Sequence, residues 1–428
     1  HGITWHMIEG GIDEGDILVQ RRFDIAETDT ALTLNTRCFE AAIDSFPELA
    51  DALASGAPQR QKQDLSQRSY FSLSRRPVAA GRLDFNKPAT ELDALVRALD
   101  HGEYWNPLFC AKLELAGQIA LVAKSSLADG SGTPGEILQV EKDGVNIATG
   151  DGALWLSGFR ATDGSDLDPA RLIAKGDLLP SPDAALTDRL DKTLQLAIKG
   201  EAEYRSLFDD FAPAHLALTA VKAEGILEHP IAVDANTAMT ALALIAGRLA
   251  ETDHVDLALG LSADAPNGCL MSWAPVRVDA QGDVEAATAS FIASLDKARK
   301  FGPPPADIIA RRAGHPRVAT PQIGLSDEAT LIPGTAITLA TQGGVRLLGD
   351  AALVTPAYLD LMAKRIEKIT AGTASRTPLT MLDILPDSER DLILYDWNAP
   401  KTGYDPALRI HPMFERPVAK NPDPEALV

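Results

Sequence analysis

Between residues 134 and 159 the chain reads PGEILQVEKDGVNIATGDGALWLSGF, and few folds can accommodate that run. Apolar positions at Ile137/Val140, Val145/Ile147 and Leu154/Leu156 are separated by Lys142-Asp143-Gly144 and by Thr149-Gly150-Asp151-Gly152. Glycine admits turn conformations that other residues resist, so each cluster reverses the chain and leaves short antiparallel strands between. Several short strands joined by glycine turns predict a small all-β barrel. Upstream, Gly81-Arg82-Leu83-Asp84-Phe85 carries a strand signal, and Leu92, Leu95, Val96 and Leu99 mark one face of a helix over 89–99. Tyr104, Trp105, Asn106 and Pro107 form an aromatic turn after it.

The first eighteen residues, HGITWHMIEGGIDEGDIL, have a different pattern. Ile3, Trp5 and Met7 alternate with polar neighbours as a strand does. Glu9, Gly10 and Gly11 break the alternation, Asp13, Glu14 and Asp16 crowd around Gly15, and Ile17, Leu18 and Val19 resume an extended run. The expected arrangement is strand, acidic loop, strand, with His6 on the first strand and Asp13 at the apex. A carboxylate held near an imidazole is a proton-handling pair. A turn that is polar because turns are polar is the plainer reading of the same residues. A helix is expected over 28–55, capped by Thr28 or Asp29, with Phe39, Ala42, Ile43, Phe46, Ala50 and Leu53 as a stripe packed onto the sheet that ends at Val19. Pro47 kinks it or begins a second helix after Ser45, and 59–69 is a polar connecting segment without a site.

A length of 428 residues suggests about three domains at roughly 150 residues each. The net charge of -20 argues against a broad nucleic-acid surface, because phosphate binding needs clustered Lys and Arg. Arg75, Arg76 and Lys87 are the local positive group near the barrel, expected as solvated surface. Cys38, Cys110 and Cys269 stand far apart without a CxxC pair, so no disulfide framework and no metal site are expected. Without a signal peptide or a run of about 18 apolar residues, a cytoplasmic protein with no membrane partner is expected.

In the second half, 176–190 reads as a proline-marked linker. A helix over 238–249, strands at 255–260 and 271–278, and a helix through Ala286, Phe291, Ile292, Leu295 and Ala298 then suggest an α/β unit. His215, His229, His254 and His315 are scattered singly, none followed by Asp-Gly at the spacing of an H-H-x-x-x-D-G motif.

The order G-I-T-W-H … G-I-D-E-G-D-I-L resembles the signature of the folate-dependent formyltransferases. The resemblance makes Asp13 one of three catalytic residues and places His6 in the same site as its proton-sharing partner. Gly11, Ile12, Asp13 and Glu14 would line the cofactor, 10-formyltetrahydrofolate. The other two catalytic residues of that family lie in an N-x-H-x-S-x-L-P motif, which this chain does not contain. The chain begins at His1 and is expected to be the end of a catalytic domain whose cofactor-binding half is missing, inactive by itself. G-R-L-D-F, W-N-P-L and the run at 134–154 resemble the C-terminal, OB-like subdomain of methionyl-tRNA formyltransferases.

Residues 191–378 resemble, loosely, the C-terminal lobe of a condensation domain of a nonribosomal peptide synthetase, with Ser272–Arg277 as its N-x-x-P-x-R-like strand. LTMLDILPDSERDLILYDWN (379–398) resembles the connector to an adenylation domain, and 409–428 resembles that domain's opening helix. The resulting fold class is α/β plus all-β. It comprises the end of a Rossmann-like formyltransferase domain (1–58), an OB-like barrel (66–172), a linker (173–190), a condensation-like remnant lobe (191–378) and a connector with the start of an adenylation domain (379–428). The implied function is formyl transfer to the amine of an aminoacyl substrate in an initiation module. Its partners are adenylation and carrier domains of the same polypeptide, and the substrate amine sits either on a phosphopantetheine arm of the carrier or on a free amino acid such as an N-hydroxyornithine. The competing readings are a non-catalytic linker module and a free-standing sugar-amine formyltransferase.

Overall fold

The structure, a computed structural model, describes residues 1–72, 74–218, 222–261, 268–311, 318–372, 374–399 and 410–420. His315 and most of 400–428, where the adenylation start is expected, lie outside them.

The chain opens with an antiparallel hairpin, β1 (Gly2–His6) against β2 (Ile17–Arg22), whose register shifts between Trp5 and His6. Helix α1 (Ala31–Ala54) follows, capped by Thr30 in a reciprocal pair with Thr33. Asp29, expected as a cap, instead accepts from Ala26 N, Thr33 Oγ1 and Arg37. Pro47 lies inside the single helix. The hairpin seats on α1 through Trp5, whose Nε1 donates to the buried Ser45 Oγ at 3.0 Å. Ser45 and Leu49 are the buried residues of α1. The apolar stripe expected as core is not core: Phe39 and Ile43 are each 71% exposed, and Phe46 and Leu53 are exposed too. At about 100° per residue that stripe sits roughly a quarter turn from the face the hairpin uses, so two strands cannot cover both.

The middle unit begins at Val78–Gly81, a turn in which Ala79 and Ala80 both adopt left-handed backbone angles. Gly81–Phe85 was expected as a strand, but only an isolated bridge from Arg82 to Lys112 pairs there. Helix α2 (Ala89–Ala98) leads to seven strands: β3 (Ala111–Leu115), β4 (Gln118–Val122), β5 (Lys124–Ala128), β6 (Ile137–Val140), β7 (Gly144–Ala148), β8 (Ala153–Ser157) and β9 (Arg160–Ala161). They form two antiparallel sheets, β3-β4-β9 and β5-β8-β7-β6. A single residue, Ala123, separates β4 from β5, so the chain turns directly from one sheet into the other. Both sheets and α2 share one core containing Phe85, Leu92, Leu113, Ile147 and Leu154.

Helix α3 (Ala184–Asp209) starts inside the stretch expected as a linker, capped by Asp183, whose side chain accepts from Leu186 N. Beyond it lie β10 (Ile226–Pro230), α4 (Ala235–Leu249), β11 (His254–Gly260), β12 (Ala274–Asp279), α5 (Val284–Phe301), β13 (Ile323–Ser326), β14 (Ile337–Ala340), β15 (Arg346–Asp350) and α6 (Pro356–Thr370). The six strands make one mixed sheet in the order β10-β15-β14-β13-β11-β12, with β11, β13 and β14 parallel to one another. Helix α4 packs on this sheet between α5 and α6. Its Ala- and Leu-rich sequence is buried nearly all round, as a helix enclosed by other elements must be.

Residues 379–398, expected as a connector, dock on this lobe. Leu379, Leu382 and Ile384 join its core, and Glu389 on α7 (Asp387–Asp391) accepts from both Nε and Nη2 of Arg365. A last helix, α8 (Ile410–Lys420), carries Pro417 in its interior.

The two larger units share a sealed junction. Phe109, Ile119 and Leu121 pack with Leu190 and Leu194 of α3 and with Cys269. Around them runs a chain of ion pairs: Arg76–Glu201, Glu201–Arg311, Arg311–Asp307 and Asp307–Lys112, at 2.6 to 2.8 Å. Arg76, expected as solvated surface, is therefore half-buried against Glu201 of α3. Asn106 of the aromatic turn is buried as well, its Nδ2 donating to Leu99 O and Phe109 O and its Oδ1 accepting from Leu108 N. Trp105 beside it lies under Arg205 and Arg311.

Candidate functional site

His6 and Asp13 meet at the loop end of the hairpin. Met7 N donates to Asp16 O at 3.0 Å, closing the loop at its base. Gly15 is required beside that base, because a Cβ there would lie 1.8 Å from Met7 O. The excursion from Ile8 to Glu14 is therefore a solvent-exposed loop. Asp13 sits at its tip with φ of 57°, a left-handed conformation rare for a residue with a side chain.

His6 Nε2 lies 3.5 Å from Asp13 Oδ1, and the carboxylate is 78% exposed. His6 Nδ1 lies 2.8 Å from Met7 O. A carbonyl oxygen can only accept, so that contact is a hydrogen bond when Nδ1 carries the proton. In the neutral ring Nε2 is then bare and faces a carboxylate. At 3.5 Å the two groups face each other at the edge of hydrogen-bonding distance, the geometry of a proton-handling pair. Of the other expected residues, Gly11 and Ile12 lie exposed on the same loop, with Ile8 beside them, and Glu14 turns aside to pair with Arg68 at 2.6 Å.

Sequence reasoning missed the residues that grip this loop. Arg60, Gln63 and Arg68, from the segment expected to be a plain connector, all bond to residues 9–15. These contacts span about fifty positions and follow no motif, so no local signal announces them.

The other single histidines are scattered. His254 Nε2 contacts Asp210 O at 2.8 Å, and His215 lines a cavity of about 550 Å³ with Tyr358 and Arg365. Cys38, Cys110 and Cys269 are free; burial, with Asp307 close by, pushes the Cys110 thiol up to about 12, so it stays protonated. Among the described residues no group of three or more His, Cys, Asp or Glu could hold a metal, and no helix is long and apolar enough to cross a membrane.

With that geometry in place, residues 77–176 match the family described as formyl transferase, C-terminal domain. The class this defines is carried by the unit built from α2 and the two small sheets. Among individual proteins, the chain is similar to the methionyl-tRNA formyltransferase of Pseudomonas entomophila (strain L48). The two are 34% identical over 166 residues, which is 39% of this chain and 51% of that protein. The methionyl-tRNA formyltransferase of Ectopseudomonas mendocina (strain ymp) is 32% identical over 166 residues, 39% of this chain and 50% of its own. The chain thus spans about half the length of the curated relatives it matches. Among solved structures, the starter condensation domain of the rhizomide synthetase RzmA (mutant H140V, R148A) aligns at a TM-score of 0.32 with 17% identity, covering 45% of this chain and 55% of that one. A TM-score that low leaves the fold to be described from this chain alone.

Proposed function

We propose that residues 1–176 are part of a formyltransferase that moves a formyl group from 10-formyltetrahydrofolate to the amine of an aminoacyl substrate. The observation that carries this reading is the match of 77–176 to the formyl transferase C-terminal domain, on a chain whose opening hairpin sets Asp13 beside His6. On this reading the hairpin and α1 are the end of a Rossmann-like domain, and the two small sheets close as an OB-like barrel. The exposed stripe Phe39, Ile43, Phe46 and Leu53 is the face on which the rest of such a domain would pack.

The loop fits a folate donor in kind. A pterin is a flat ring with apolar faces and polar edges, and the loop offers exposed Ile8 and Ile12 beside the free Asp13 carboxylate. Gly11, Ile12 and the backbone of Asp13 and Glu14 would hold it, and when bound it supplies the formyl group. The residues of this chain manage the proton. An ammonium cannot bond to carbon until it loses a proton, and Asp13 Oδ1 is open to take it, with His6 Nε2 behind as the next acceptor.

The acceptor is proposed as an aminoacyl group on a phosphopantetheine arm of a carrier domain, within a nonribosomal peptide synthetase initiation module that also holds an adenylation domain. The -20 charge favours such an acceptor over a nucleic acid. Residues 191–378 would serve as a condensation-like remnant lobe and 379–428 as the connector to the adenylation domain. The ion-paired junction favours a second, compatible role for 77–386 as a rigid spacer between partners.

The test supplies the full-length polypeptide with 10-formyltetrahydrofolate labelled at the formyl carbon, together with aminoacyl-loaded carrier domain. Label on the amine above the uncatalysed rate supports the proposal. Label that stays on the folate contradicts it.

A further inference from the structure

The segment after α1 runs back along the hairpin. Gln61 and Ile17 exchange backbone hydrogen bonds at 2.7 and 2.9 Å, which lays the segment beside β2. From there Arg60 forks onto both carboxylate oxygens of Glu9 at 3.1 Å. Arg68 donates to Glu14 at 2.6 Å and to Ile12 O at 3.1 Å. Between these two arginines, Gln63 Nε2 donates to Asp13 O at 3.0 Å and to Gly15 O at 2.6 Å.

The three grips differ in what they can do. Arg60 with Glu9 and Arg68 with Glu14 form ion pairs in water, which salt screens and which contribute little, while the second Arg68 bond holds the Ile12 carbonyl rather than Asp13's own. Gln63 is half-buried, and its two bonds run to neutral backbone carbonyls, one of them Asp13's own. Such a hold matters at Asp13, because the left-handed region at φ of 57° is disfavoured for residues with a side chain, though less for Asp than for most. Relaxation there would swing the carboxylate away from the imidazole.

We infer that Gln63 is a positioning residue whose side-chain amide keeps Asp13 in its left-handed conformation and so aims the carboxylate at His6 Nε2. The inference rests on the reading of Asp13 as the proton-handling group. Gln63 touches no reacting atom; it acts through Asp13, so its loss lowers kcat while KM for the acceptor stays put.

Two measurements test it. On this chain with labelled histidine, the nuclear Overhauser contact between His6 Hε1 and the Asp13 β-protons is recorded for wild type and for Gln63→Met, which keeps the bulk and removes both donors. The contact is expected to vanish in Gln63→Met; its persistence at wild-type intensity overturns the inference. On the full-length polypeptide, kcat for formyl transfer is expected to fall about ten- to a hundredfold in Gln63→Met, the scale of a small misplacement. In an Asp13→Asn background the same change is expected to cost nothing further. Equal kcat for Gln63→Met and wild type, or an undiminished further loss in that background, overturns the inference. If Asp13→Asn itself keeps wild-type kcat, the transferase role of Asp13 fails, and the Overhauser contact still decides what Gln63 does.

Discussion

Lys112 Nζ donates to Asp307 Oδ2 at 2.7 Å across 195 residues of chain, and both side chains are almost wholly buried. That contact ties the formyltransferase-like unit to the α/β lobe, because β3 supplies the lysine and the segment after α5 supplies the carboxylate. The ring of Phe109 lies 4.8 Å from Lys112 Nζ and 4.3 Å from Arg311 Cζ, so the charges are sealed under an aromatic lid. Removing Lys112 takes one charge-assisted bond from Asp307 Oδ2 and leaves the carboxylate paired with Arg311. Lys112→Met is expected to destabilise the chain by about 1.5–3 kcal/mol in urea unfolding, the scale of a hydrogen bond to a charged group. A loss under about 1 kcal/mol would show the junction to be open to water.

The same pair sets a pH dependence. Burial works against charge on Asp307, but Arg311 and Lys112 outweigh it and hold the carboxyl well below its ordinary 3.8. A lowered folded-state value means the stabilisation is complete above the unfolded value and drains away as pH falls through the folded one. Wild type is therefore expected to lose stability more steeply than Asp307→Asn as pH drops below about 4. Parallel urea midpoints for the two proteins across that window would contradict the assignment.

Asp183 marks where the expected linker ends and α3 begins. Asp183→Ala removes the acceptor for Leu186 N and is expected to cost about 1 kcal/mol. Since Leu190 and Leu194 of α3 pack against Phe109, fluorescence of Trp155 in the small sheets and Trp273 in the lobe should report one shared transition. Two well-separated transitions in wild type would show the units to be independent.

The exposed stripe on α1 gives the opposite expectation. Phe39→Ser with Ile43→Ser should leave the urea midpoint of this chain nearly unchanged, within about 0.5 kcal/mol for exposed positions. Binding of an apolar dye should fall in the same variant. A loss of 2 kcal/mol or more would place the stripe in a core after all.

These cases show what the amino-acid order made legible. Period-two alternation at Ile3 and Trp5 and glycine turns at 144 and 150–152 gave strands where strands stand, since local geometry alone decides them. The α1 stripe had correct spacing but the wrong environment, because periodicity says which residues share a face and not what covers it. Helix α3 carries its own signal: Asp183 followed by Leu190, Leu194, Ala197, Glu201, Tyr204 and Phe208 is a cap and a stripe. The proline-rich approach to it masked both. The Asp13–His6 pair was readable because both lie in one hairpin. The partnership of Gln63 with Asp13, and of Lys112 with Asp307, was not, since such contacts are fixed only when distant segments fold together.

The proposed formyl transfer turns on proton handling by the Asp13 carboxylate. It is tested most directly by the rate of formyl transfer in the full-length polypeptide with Asp13 changed to Asn, which keeps the shape of the side chain and removes its basicity. The expected result is a fall in kcat of about 10²–10⁴, the range of a general acid-base contribution, in a protein that unfolds at the wild-type urea midpoint. A rate within twofold of wild type would contradict the claim.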